Sequence, residues 1–76
     1  MGGSGIILVL GATGGVGEPV ARRLLEEGFA VRLLARDLDR ARARFGSGYQ
    51  YRLGEVGDRA ALDQALRGCR GVHVSL

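Results

Sequence analysis

Seventy-six residues suffice for one domain or part of one, and a chain of this size buries only about 60% of the surface its unfolded form exposes. A composition of 46% hydrophobic and 25% charged residues, with no low-complexity tract and no long same-sign charge run, is globular. All 11 basic residues are arginine, so no lysine chemistry runs on these residues, and a net charge of +3 suits an anionic ligand but is too small to indicate nucleic acid.

Residues 1–5, "MGGSG", lack the basic and apolar parts of a signal peptide and read as a flexible leader. Ile6 to Leu10 is a continuous apolar run, the pattern of a parallel strand covered on both faces, and falls far short of the roughly 20 residues that span a bilayer. No membrane partner is expected, and the cytoplasm is the expected compartment. Val16 to Glu27 reads as a helix with Val16, Val20 and Leu24 on one face and Leu25 beside them. Pro19 falls in its first turn and Gly28 at its stop.

Phe29 to Ala35 reads as a second strand. A short helix follows, with Asp37 or Asp39 as N-cap and Gly46 as terminator. Tyr49 to Leu53 makes a third strand. Asp58 caps a third helix whose buried stripe is Ala61, Leu62, Ala65 and Leu66, and Gly68 ends it. Gly71 to Leu76 is a fourth strand. The order β-α-β-α-β-α-β with short connections requires parallel strands and right-handed crossovers. Residues 6–76 therefore read as the first half of a Rossmann-like doubly wound α/β sheet with strand order 3-2-1-4. The first two helices should cover one face and the third the other. Part of one face and the strand-four edge should then lie bare, so the segment either self-associates there or belongs to a longer protein.

The first strand runs into "GATGGVG", four glycines in seven residues, with Gly11, Gly14 and Gly17 at three-residue spacing. In a loop between a buried strand and a helix these have physical tasks. Gly11 turns the chain, Gly14 leaves room for amides near a pyrophosphate, and Gly17 lets the helix pack closely. Thr13, Gly15 and Val16 line the same rim. The helix N-terminus adds unpaired N–H groups and partial positive charge. The bland alternative is a tight strand-to-helix turn with no ligand. A P-loop is excluded, because it requires a lysine near the loop's end.

"GATGGVG" after an N-terminal hydrophobic strand resembles the atypical and extended short-chain dehydrogenase/reductase superfamily, and within it the NmrA-like NAD(P)H-binding branch. The resemblance continues through "VRLLARD" and "GEVGDRAALDQALRGCRGVHVSL", covering nearly all of Ile6 to Leu76. It implies a dinucleotide cofactor and an oxidoreductase parent. It also implies that Arg36, the arginine of "ARD", contacts the 2′-phosphate of NADP, with Arg40 as a second contact. A charge-assisted hydrogen bond of that kind is worth a roughly ten- to hundredfold preference. Asp37 is the competitor: taking the ribose hydroxyls, it would favour NAD, whereas as helix N-cap it leaves NADP favoured. The family's aspartate before an aliphatic residue contacts adenine after the third strand; here Glu55 stands in its place, followed by Val56, which can still pack on the ring.

Cys69 reads as a structural residue in a loop with no basic partner in sequence, and His73 as strand packing. One cysteine and one histidine make neither a disulfide nor a zinc site. Arginines 36, 40 and 44 share a helix face, but interrupting aspartates make it a solvated face rather than a nucleic-acid patch. The resemblance places the catalytic tyrosine and lysine beyond the fourth strand, so no residue here is a catalytic candidate. Three readings stand: an NAD(P)-binding segment of an oxidoreductase, a non-catalytic redox-sensing module, or a site for S-adenosylmethionine, against which Arg36 speaks.

Overall fold

With no polar side chain to turn toward water, the sequence IILVL belongs in the middle of a sheet, and it forms the inner strand β1 (Ile6–Leu10). The computed structural model describes residues 5–12 and 17–74. After β1 come α1 (Gly17–Glu26), β2 (Ala30–Ala35), α2 (Leu38–Phe45), β3 (Gln50–Leu53), α3 (Arg59–Leu66) and β4 (Cys69–Val74). The four strands are parallel in the order β3-β2-β1-β4, the Rossmann-like half-sheet the element order predicts. Among the described residues no helix is long and apolar enough to cross a membrane.

Alternation along β1 and β2 divides the core. Val9, Val31 and Leu33 face α1 and α2, where they pack with Ala21 and Phe45. Leu8, Leu10 and Leu34 face α3 and pack with Ala65, Leu62 and Leu66. The helix ends follow local rules. At the end of α1 the Phe29 N–H donates to Leu24 O and the Gly28 N–H to Leu25 O, with Gly28 at φ +95°, a Schellman motif. The Asp37 and Asp58 carboxylates accept from the Arg40 and Ala61 amides at 3.1 and 3.2 Å and so cap α2 and α3.

Three details depart from the sequence reading. Val16 lies outside the described residues, and the buried stripe of α1 runs through Gly17 and Ala21, with Val20 only half-buried. Two small residues four apart let the helix axis approach the sheet, which rotates the stripe by one position. β4 begins at Cys69 rather than Gly71. The register passes from Ile6↔Cys69 to Ile7↔Gly71, so Arg70 is an extra residue in a bulge. Cys69 is consequently a strand residue, not a loop residue.

The third departure is Arg32, in the middle of β2 and only 5% exposed. Its Nη1 donates to the carbonyls of Ala65 and Arg67, each at 2.6 Å, and its Nε to Gln50 Oε1 at 3.0 Å. Those carbonyls end α3, where helix geometry leaves acceptors unpaired and the helix dipole is negative. The guanidinium thus ties the end of α3 beneath the sheet. On the same face Val72 and Val74, in register with Leu8 and Leu10, stay 44% and 56% exposed. Among the described residues, no element packs over that part of the face or pairs with the outer edge of β4.

An electrostatic clasp joins the helices of the other face. Glu18 accepts from Arg44 of α2 at 2.5 Å and from Arg22 at 2.9 Å, and Arg22 also donates to Arg44 O at 3.0 Å while lying over the Phe45 ring. The hydrogen bonds from Arg44 and then Arg22 hold the Glu18 carboxyl below its ordinary value of 4.5.

Replacing Arg32 by Met removes the guanidinium donor to the Arg67 carbonyl and leaves the Ala65 carbonyl only the weak Cys69 thiol, so urea unfolding should show a loss of about 1–3 kcal/mol at an unchanged m-value; wild-type stability would contradict the tie. Because Glu18 is more acidic folded than unfolded, its contribution is full above about pH 4.5 and disappears as pH falls through the lower folded value. Glu18→Gln should therefore flatten the acid limb of the melting temperature at low salt, and an unchanged limb would exclude the clasp as its source.

Candidate functional site

Parallel strands end on one side of the sheet, so the loops after β1, β2 and β3 gather at a single edge. β1 is the switch point: the chain proceeds to β2 and β3 on one side of it and reaches β4 on the other. Gly11, directly after β1, has φ +77°, a conformation that an L side chain rarely adopts. Gly17, which opens α1, sits against that turn. A Cβ there would overlap Gly11 O and come within 2.7 Å of Gly11 C and 2.9 Å of Ala12 Cα. The start of the helix therefore touches the end of the strand through bare backbone. Thr13, Gly14, Gly15 and Val16, the other loop residues singled out from sequence, lie outside the described residues.

A cavity of about 420 Å³ opens beside Gly11, lined also by Leu34, Arg36, Gly54, Glu55 and Val56. The fold thus brings together four sequence candidates separated by up to 45 positions: Gly11, Arg36, Glu55 and Val56. The Gly54 N–H donates to Ala35 O at 2.9 Å, which fixes the loop after β3 against the end of β2. Val56, 38% exposed, offers an apolar surface in this cavity. Arg36 also borders a second cavity of about 580 Å³, which it shares with Asp37, Arg40, Ala41 and Arg44.

β2 ends at Ala35, so Arg36 is the first residue past the strand, and Asp37 is occupied in capping α2. Glu55 does not stand alone: its Oε1 lies 3.3 Å from Arg36 Nη1. Asp58 caps α3, and its N–H donates to Glu55 O at 3.0 Å, closing the turn between them. Glu18, in the first turn of α1, has its charge balanced by Arg44 and Arg22 and so presents no bare carboxylate to an anion there.

Other chemically capable groups lie elsewhere. Burial raises the phenols of Tyr49 and Tyr51, and the Tyr51 hydroxyl donates to Gly46 O. Cys69 has a basic neighbour that sequence distance concealed: Arg32 Nη1 lies 3.6 Å from Sγ, while the thiol donates to Ala65 O at 3.3 Å. An arginine inside an otherwise apolar strand was the available signal, because a buried guanidinium must find acceptors.

The geometry combines a cavity with Leu34 and Val56 in its wall, glycine backbone at the end of β1 and the start of α1, and Arg36 directly after β2. That set suits an aromatic base, a backbone-bound phosphate and a further anionic group. Adding a methyl at Gly17 should cost about 1–3 kcal/mol by overpacking, and at Gly11 about 1–2 kcal/mol through the left-handed backbone. Gly57→Ala, with open space around it, should leave urea unfolding unchanged. Equal losses at all three positions would contradict the close contact.

Residues 11–76 match the model of a family described as NAD(P)H-binding. Among curated proteins, the chain is 54% identical over 69 residues to a (4-alkanoyl-5-oxo-2,5-dihydrofuran-3-yl)methyl phosphate reductase of Streptomyces griseus, covering 91% of this chain and 24% of the reductase. It is 39% identical over 64 residues to a photosystem II assembly factor of Cyanophora paradoxa, covering 84% of this chain and 20% of that protein. The chain thus spans a quarter or less of the length of these relatives. Among solved structures, a Rossmann-fold NAD(P)-binding family protein from Shigella flexneri superposes with a TM-score of 0.80 at 28% identity, over 96% of this chain and 38% of that one. Serine dehydrogenase from Escherichia coli gives 0.63 at 33% identity, over 80% and 29%.

Proposed function

Because the chain belongs to the NAD(P)H-binding family, we propose that it holds the adenine and pyrophosphate half of NADP(H) within an atypical short-chain dehydrogenase/reductase-like protein of the NmrA-like branch. The observation that carries this reading is the meeting of Gly11, Arg36 and Val56 around one cavity at the switch point of the sheet. Backbone amides from Gly11 to Gly17, with Thr13, Gly14, Gly15 and Val16 between them, receive the pyrophosphate. Val56 packs on the adenine, and Arg36 with Arg40 receives the 2′-phosphate.

When bound, the dinucleotide supplies the hydride chemistry. The residues of this chain bind and orient it, and those that handle the substrate's proton lie outside these 76 residues. The reductase relative supports an oxidoreductase parent. The relative named as an assembly factor rather than as an enzyme keeps a second reading open, a non-catalytic and redox-sensing parent. A tyrosine followed four residues later by lysine in the parent's reading frame separates the two. The uncovered Val72 and Val74 support association at the β4 edge, with a second copy or with more of the same protein.

Fluorescence titration with NADPH and NADH tests the cofactor assignment. NADPH should bind about tenfold more tightly, Arg36→Gln should abolish most of that difference, and Arg40→Gln should reduce it. Equal affinities in the wild type would overturn the NADP assignment, and no binding of either would overturn the site.

A further inference from the structure

Arg36 is the residue shared by the two cavities, and in the structure its guanidinium is already engaged. Nη1 stands 3.3 Å from Glu55 Oε1, in a pair whose side chains are 79% and 63% exposed. The partners come from different loops, 19 positions apart, so the pair exists only where the ends of β2 and β3 meet. Arg40, by contrast, makes no side-chain ion pair among the described residues, and Arg44 is committed to Glu18.

We propose that Glu55 is a specificity-determining residue of the dinucleotide site, an internal competitor that occupies Arg36 and restrains its preference for a 2′-phosphorylated adenosine. The proposal rests on the placement of the ribose 2′ position at Arg36 given above. A carboxylate and a phosphate are both oxyanions that seek the same N–H donors. A phosphate that reaches Arg36 lies within a Debye length, about 8 Å at physiological salt, of the Glu55 carboxylate, so it must displace that group or share the guanidinium with it. A 2′-hydroxyl carries no charge and meets no such competition. Glu55 therefore acts on discrimination between the two adenosines rather than on binding of both. Arg40 supplies a second guanidinium beside the same cavity, one that makes no side-chain ion pair among the described residues.

The Glu55 side chain is separable from the loop that carries it. The turn is held by backbone, Asp58 N–H to Glu55 O at 3.0 Å and Gly54 N–H to Ala35 O at 2.9 Å, and both bonds survive replacement of the carboxylate. An exposed pair of this kind is worth little to stability. Its removal is expected to appear as a change in ligand ratio rather than in folding.

The test is calorimetric titration of the chain, and of its Glu55→Gln and Glu55→Ala variants, with 2′,5′-ADP and with 5′-AMP. Both variants should bind 2′,5′-ADP roughly two- to fivefold more tightly, with 5′-AMP unchanged. Near 1 M salt, where screening acts within about 3 Å, the gain should vanish. Unchanged or weakened 2′,5′-ADP binding would overturn the proposal, weakening showing that Glu55 instead positions Arg36. Loss of both ligands in the variants would also overturn it, by making Glu55 an adenine contact. If the wild-type chain bound neither compound, the cofactor reading itself would fall, an outcome distinct from wild-type binding with no response to Glu55.

Discussion

The contact between Gly17 and the carbonyl of Gly11 fixes where everything else goes. No side chain fits between the first residue of α1 and the turn after β1, so the helix begins against the strand's end and its small face, Gly17 and Ala21, lies down on the sheet. That placement sets the packing of Val9, Val31 and Leu33 beneath α1 and sends the chain right-handed into β2. The same absence of side chains leaves backbone facing the space where the strands end. The requirement that lets the fold close is therefore also what, in the proposed reading, leaves room for a phosphate.

Charge in this chain is carried on one cation type, and position gives the arginines different work. Arg32 is buried and ties down the end of α3. Arg22 and Arg44 clasp α1 to α2 through Glu18. Arg36, directly after β2, and Arg40, in the first turn of α2, stand beside open volume. A delocalised fork with several donors serves all three settings, whereas a lysine ammonium would fit the buried and bidentate sites poorly. A net charge of +3 thus conceals a division between arginines that hold the fold together and those that border open volume, Arg36 among them in an exposed pair with Glu55.

Much of this was legible in the residues because it is governed locally. An unbroken apolar run means a doubly covered strand, Asp37 and Asp58 precede helices they cap, and glycine spacing marks a turn with positive φ at Gly11. What escaped depends on contacts between distant segments. Nothing around Arg32 announces the carbonyls of Ala65 and Arg67, more than 30 positions away. The start of β4 at Cys69 was hidden by Arg70, whose bulge breaks the alternation. The stripe of α1 shifted because the backbone contact at Gly17, not the larger apolar residues, sets its rotation. The Arg36–Glu55 pair needed the loop ends to be placed before two exposed side chains could be seen to meet.

The most direct test of the account is an amide NMR titration of the chain with NADPH, mapping which resonances move. Shifts concentrated on Gly11 to Gly17, Arg36 and Val56, with β4 and the Arg32 cluster still, would place the adenine half of the cofactor at the switch point of the sheet. A dispersed spectrum whose shifts centre elsewhere, or which does not respond at all, would contradict it.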